Sequence, residues 1–201
     1  MKDYEIICTI GPSCDDIQTL KDLKSAGVDI FRVNMSHATL DELEIFCNLS
    51  KDIGFKLGID TEGAQIRTKN IKNRILNLNK GDKFQVQKNQ ENINNNSVMT
   101  FYPAYVLDYL DEGMLLRLEF DGALAKVVEV HKDYINMECV SSGIVGNNKG
   151  VDILNNSIQL NDFTEKDLAA LELGKRMGIE QVFISFCKSS EAILKAKSII
   201  P

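Results

Sequence analysis

The sequence predicts an α/β fold in which four strand–helix units, the first half of an eightfold (β/α)8 barrel, are interrupted by a small all-β domain. Three observations predict it. Residues 1–68 alternate short apolar runs with helix-period stretches that are bounded by caps and glycine stops. Over residues 69–156 the pattern changes to short β-like runs separated by turn residues, and over 157–201 the alternation of helix and strand resumes. The β region is therefore an insertion. A complete barrel of this kind takes about 250 residues, so four units are half of one.

Each element has its own signal. Ile6 to Ile10 reads as a strand, and Asp15 or Asp16 caps a helix that carries Ile17, Leu20, Leu23 and Lys24 before Gly27 stops it. Asp29 to Asn34 is the next strand. Thr39 followed by Glu42 makes a capping box, and Leu40, Leu43, Cys47 and Ile53 form the apolar stripe of a helix ending at Gly54. Phe55 to Asp60 is a third strand. Within the insertion, turns fall at Lys80-Gly81-Asp82, Asp121-Gly122, His131-Lys132-Asp133 and Asn147-Asn148-Lys149-Gly150. The asparagine-rich tract Gln90 to Ser97 is a loop tip, too polar to pack. Thr164 then caps a helix with Leu168, Leu171 and Met177 that Gly178 ends. Gln181 to Ser185 is a strand, and Ser189 opens a helix running to Ile200.

Composition excludes several classes of function. With 44% hydrophobic and 26% charged residues in a chain of 201, the protein can bury one or two cores. A net charge of −6 without a long basic stretch argues against nucleic acid or an anionic membrane as partner. No apolar run approaches the roughly 20 residues of a membrane span, and Met-Lys-Asp-Tyr-Glu at the amino end lacks the apolar core of a signal peptide, so a cytoplasmic location is expected. Five scattered cysteines without a Cys-x-x-Cys pair predict buried free thiols rather than a disulfide framework or a zinc site.

Reactive side chains on α/β folds sit at the carboxyl ends of strands, where this chain places Cys-Thr-Ile-Gly-Pro (8–12) and Arg-Val-Asn-Met-Ser-His (32–37). Taken singly, these residues have ordinary explanations. Arg32 and Arg67 could be ion-paired surface arginines, His37 a loop residue, and Asp60 a strand-end turn former. Asp121-Gly122 is an ordinary hairpin turn, and Lys149 sits among turn residues that already explain its position.

The motifs in order give these residues a context. Cys8-Thr9-Ile10-Gly11-Pro12, Phe31-Arg32-Val33-Asn34-Met35-Ser36-His37, Ile59-Asp60-Thr61-Glu62-Gly63-Ala64-Gln65-Ile66-Arg67-Thr68, Asn148-Lys149-Gly150-Val151 and Val182-Phe183-Ile184-Ser185-Phe186 resemble five successive motifs of the pyruvate kinase family. The resemblance covers essentially the whole chain. It implies the first half of a TIM barrel with an inserted lid domain, and transfer of a phosphoryl group from phosphoenolpyruvate to ADP, giving pyruvate and ATP, with Mg2+ and commonly K+ as cofactors. Carried over position by position, Arg32 and Arg67 are catalytic and clamp phosphate oxygens, a task suited to the paired donors of guanidinium. Asn34, Ser36, Asp60 and Thr61 supply oxygens to potassium, and oxygen donors suit a hard cation. Pro12, His37, Asp121 and Lys149 lie near the nucleotide, and Ser185 and Phe186 line the pocket. The likeness further implies small-molecule substrates, a homo-oligomer for the intact protein, and closure of the lid over the phosphates.

The chain also departs from the family's pattern. The family usually has lysine where Glu62 stands, proline where Ala64 stands, and glutamate or lysine where Gln65 stands; Ile153-Leu154-Asn155-Asn156 replaces a proline after the lid. The first change inverts a charge, the second removes a rigid turn residue, and the third leaves the potassium requirement open. The family's catalytic lysine and magnesium ligands come from the second half of the barrel, so this chain alone is expected to be inactive. Three functional readings follow: a pyruvate kinase or close relative, a non-catalytic phosphate-binding or regulatory relative, or an enzyme acting on another enol phosphate or carboxylate. The chain itself is read as the amino-terminal portion of a longer protein or as a shortened paralogue that pairs with itself or another chain to close a barrel.

Overall fold

The computed structural model describes residues 4–89 and 98–201. The tract Gln90 to Ser97, expected as a loop tip, lies outside the described residues. The chain divides into two compact units, Met1–Ala64 with Asn161–Pro201, and Gln65–Leu160. In chain order the first unit contributes β1 (Ile7–Thr9), α1 (Ile17–Ala26), β2 (Ile30–Asn34), α2 (Leu40–Ile53) and β3 (Lys56–Asp60). The second supplies β4 (Ile66–Lys69), β5 (Ile75–Leu78), β6 (Lys83–Gln87), β7 (Val98–Tyr102), β8 (Leu115–Leu118), β9 (Ala123–Val130), β10 (Tyr134–Ser141), β11 (Gly143–Gly146) and β12 (Gly150–Ile153). The chain then returns to the first unit with α3 (Glu165–Met177), β13 (Gln181–Phe183) and α4 (Ser190–Ile199).

Helix boundaries in the first unit follow local chemistry. The Asp16 carboxylate accepts from the Thr19 backbone N–H at 3.0 Å and opens α1, while Gly27 at φ 106° closes it in a left-handed conformation that glycine adopts without strain. Thr39 and Glu42 form the predicted reciprocal box on α2. On α3 the box is Thr164 with Asp167.

The four strands pair in the order β1-β2-β3-β13, all parallel. Side chains alternate across a strand, so Phe31 and Val33 of β2 enter the core while Arg32 and Asn34 share the opposite face. The core gathers Leu20, Phe31, Val33, Met35, Leu43, Cys47 and Ile59, none above 1% exposed, and Phe31 stacks at a tilt on Phe55 with ring centroids 4.6 Å apart.

Two strands are shorter than their apolar runs suggest. Ile6 lies before β1, its N–H taken by the Asp29 carboxylate at 2.8 Å instead of a ladder partner. After Phe183 the chain leaves β13, because the Ser185 N–H turns to the Thr61 hydroxyl at 3.1 Å and Phe186 takes a left-handed φ of 54°.

The second unit is a closed seven-stranded barrel in the order β10-β6-β7-β4-β12-β8-β9, completed by the β9–β10 pairing. All its ladders are antiparallel except β6 with β7. Closure pairs every edge, and the alternation of buried Phe84 and Val86 with half-exposed neighbours on β6 shows which face fills the barrel. β5 and β11 form a separate two-stranded pair.

The thiols are free, yet the expectation that all are buried needs correction. Cys47 and Cys139 are buried, Cys8 and Cys14 are half-buried, and Cys187 is exposed. Cys47 and Cys139 sit in apolar cores, Cys8 lies within β1 at the edge of one, and Cys14 and Cys187 lie on loops. No helix among the described residues is long and apolar enough to cross a membrane.

Asp167 is fully buried and accepts three backbone N–H groups, from Glu62 at 2.7 Å, Gly63 at 3.1 Å and Thr164 at 3.0 Å. It therefore caps α3 and pins the chain leaving β3. Asp167→Ala strands these donors and is expected to cost about 2–4 kcal/mol in urea denaturation, more than the ~1 kcal/mol of an exposed helix cap. A loss confined to the capping value would show that the bonds to Glu62 and Gly63 contribute nothing.

Candidate active site

The polar residues of the first unit converge where the parallel strands end. Register sets Thr9 beside Arg32, Asn34 beside Asp60, and Asp60 beside Phe183. Arg32, reaching across from β2, places Nη1 at 3.3 Å from Asp60 Oδ2 and donates through Nε to Thr9 Oγ1 at 3.0 Å. The second Asp60 oxygen, Oδ1, accepts from the Ser185 hydroxyl at 2.8 Å. Asp60 is only 3% exposed, so both partners are needed to hold a charge there. The Arg32 side chain keeps 32% of its surface open, enough to offer donors to an anion.

Around this pair the loops are closely determined. Thr61, buried, donates its N–H to the Phe183 carbonyl at 3.0 Å and accepts from Ser185 N–H through its hydroxyl. Asn34 Oδ1 accepts from the Ser36 N–H at 2.9 Å, and its carbonyl accepts from His37 and Ala38, each at 3.0 Å. Gly63 is required on two counts: its φ is +72°, and a Cβ there would lie 2.2 Å from the Ser185 carbonyl oxygen. Pro12 and His37 are exposed on the loops that follow β1 and β2, and Phe186 is half exposed beyond β13.

Two residues that shape this region escaped the sequence argument. Lys166 donates to the Met35 carbonyl and lies 3.4 Å from Glu62 Oε1, while Thr164 Oγ1 donates to Glu62 Oε2 at 3.1 Å. The charge inversion at Glu62 is thus answered by a cation on α3. Asp167, described above, is the other. Thr164 was legible as the cap, but nothing local indicated that Asp167, three residues on, reaches Glu62 and Gly63.

Of the residues expected to supply oxygens to a cation, Asn34 and Asp60 are neighbours in register, and Ser36 and Thr61 follow them in the loops after β2 and β3; three neutral residues with one carboxylate are chemically compatible with a hard monovalent cation. Among the described residues no group of three or more His, Cys, Asp and Glu could hold a metal ion.

In the second unit, strand pairing brings Arg67 beside Gly150, next in the chain to Lys149. Arg67 donates to the Asn148 carbonyl at 3.0 Å, and Thr68 accepts the Lys149 N–H at 3.0 Å. Asp121 is exposed on the turn between β8 and β9, closed by the Gly122 N–H to the Glu119 carbonyl at 3.1 Å. Lys149 Nζ is held at 2.7 Å by Glu119 Oε1.

Burial pushes the Glu119 carboxyl up, but hydrogen bonds from Lys149 and the Gly146 N–H, with the charge of Lys149, outweigh it and leave the group below its ordinary value. A carboxylate lowered in the folded state stabilises above the unfolded value of about 4.3 and loses that contribution as pH falls through the folded value. The stability difference between wild type and Glu119→Gln should therefore shrink as urea denaturation is repeated from about pH 7 to about pH 3. A difference that does not change with pH would rule out an ionised Glu119 as the partner.

Comparison with known proteins agrees with the geometry. The family described as pyruvate kinase, barrel domain, matches residues 1–201. The chain is 30% identical over 209 residues to a pyruvate kinase of Lactobacillus delbrueckii subsp. bulgaricus, covering 99% of this chain and 35% of that protein. Against a pyruvate kinase of Clostridium perfringens it is 30% identical over 207 residues, covering 100% of this chain and 44% of the relative, and against one of Buchnera aphidicola it is 28% identical, covering 98% and 42%. The chain thus spans less than half the length of these relatives. With its whole length matched by the family, and strand-end arginine and aspartate where the family's motifs run, the chain belongs to the pyruvate kinase family.

Proposed function

We propose that the protein to which this chain corresponds transfers a phosphoryl group from phosphoenolpyruvate to ADP, and that this chain forms the first half of a TIM barrel with an inserted lid. The observation that carries this reading is Arg32, fixed by Asp60 and Thr9 at the strand ends with 32% of its side chain exposed. A donor already held in place loses little freedom when an anion binds, and phosphoryl transfer depends mostly on such positioning and charge neutralisation.

Arg32 binds and orients the phosphate. Arg67 and Lys149, on the second unit, are assigned the same task by the family likeness, with Asp121 beside the nucleotide's metal, Pro12 and His37 toward the nucleotide, and Ser185 and Phe186 lining the pocket. Asn34, Ser36, Asp60 and Thr61 would hold potassium, which supplies positive charge beside the phosphate. The likeness also calls for magnesium, for which this chain supplies none of the assigned ligands. Water exclusion by the lid would strengthen each of these interactions.

A second reading, a phosphate-binding relative without turnover, is favoured by Glu62, which puts a buried carboxylate where the family has a cation. Calorimetric titration of phosphoenolpyruvate into the chain separates the possibilities together with a turnover assay on the full gene product. Wild type should bind, and Arg32→Ala should weaken binding roughly tenfold or more, as expected for losing a charged hydrogen bond. Arg32→Lys should recover only part, because a point charge cannot reproduce the forked geometry. Pyruvate formation by the full product supports the enzyme; binding without turnover supports the second reading; absence of both contradicts each.

A further inference from the structure

Two half-buried thiols meet at the exit of β1. Cys8 and Cys14 donate to one acceptor, the Thr9 carbonyl oxygen, with Sγ at 3.9 Å and 3.5 Å. The loop between them folds back through the Cys14 N–H to the Gly11 carbonyl at 2.8 Å, which returns the second sulfur to the first. We propose that Cys8 and Cys14 form an oxidation site that closes to an intramolecular disulfide when the protein meets a peroxide. The site is independent of the phosphoryl-transfer reading.

The chemistry is complete with hydrogen peroxide as the only co-reactant. The Cys14 thiolate attacks one peroxide oxygen, the O–O bond breaks, and the departing hydroxide is protonated to water, leaving a sulfenic acid on Cys14. The Cys8 sulfur then attacks the Cys14 sulfur; the S–O bond breaks, and hydroxide leaves as water with the proton from Cys8. Two thiols lose two hydrogens and one peroxide becomes two waters. The order of attack follows from the surroundings of Cys8, whose thiol is pushed up first by burial, then by its Cys14 neighbour through charge and a hydrogen bond; it is the poorer initial nucleophile and the natural resolving partner.

The position gives the modification a local consequence. Thr9, whose carbonyl receives both thiols, also receives Arg32 Nε through its hydroxyl at 3.0 Å. Closing the disulfide withdraws two donors from Thr9 and staples the loop that carries Gly11 and Pro12.

Peptide mapping tests this directly. Trypsin cutting after Lys2 and Lys21 releases residues 3–21, which carry Cys8 and Cys14 and no other cysteine. After treatment of the folded protein with hydrogen peroxide and alkylation without reductant, that peptide should be unalkylated and lighter by two hydrogens. Dithiothreitol should restore double alkylation, and Cys14→Ser should abolish the two-hydrogen loss. Recovery of the peptide alkylated at both cysteines while the exposed Cys187 is oxidised would overturn the proposal, as would oxygen gain at Cys14 without closure.

Discussion

The buried carboxylate of Asp60 is the constraint around which the first unit is organised. At 3% exposure it cannot remain charged without partners, and it takes one from each neighbouring strand end: Arg32 from β2 and Ser185 from beyond β13. Arg32 in turn holds Thr9 of β1. One polar chain, Thr9–Arg32–Asp60–Ser185, therefore crosses the ends of all four parallel strands. The same bonds that satisfy a buried charge also fix the orientation of an arginine whose side chain stays 32% exposed, so under the proposed function stability and anion binding would draw on one set of contacts.

A second buried acid does for the following loop what Asp60 does for the strands. Asp167 gathers the N–H groups of Glu62 and Gly63 while capping its own helix, and Gly63 allows the loop to pass against the Ser185 carbonyl. Glu62 then completes an ionic link to Lys166, which also reaches the Met35 carbonyl behind β2. The chain after β3 is held on both sides, by α3 and by the segment after β13. Glu62 is therefore not an unmatched charge: Lys166 and Thr164, both at the start of α3, answer it.

Much of this was legible in the sequence, for reasons that are local. Asp16, Thr39 and Thr164 marked helix starts, and Gly27, Gly54 and Gly178 marked helix stops, because caps and left-handed glycines act within a turn of chain. The apolar run of Ile30, Phe31 and Val33 marked β2. What stayed hidden depends on contacts between distant segments. Asp167 went unread, since its bonds to the loop after β3 reach residues 104 and 105 positions away. A β-barrel-like insertion was expected, but its strand order and the one parallel ladder of β6 with β7 could not be read from turns that only announce β structure. Ile6 and Ser185 were read into β1 and β13, where side-chain oxygens take their backbone donors in place of a ladder partner.

The central claim is that Arg32 and Asp60 act as one unit, and a double-mutant cycle of urea denaturation with Arg32→Met and Asp60→Asn tests it most directly. Removing Arg32 alone leaves a buried carboxylate with one partner fewer and should cost about 3 kcal/mol. Neutralising Asp60 in the same chain should recover much of that loss, giving a coupling of at least about 1 kcal/mol. Costs that add to within about 0.5 kcal/mol would show that the two side chains are neighbours without being partners, and would contradict the account.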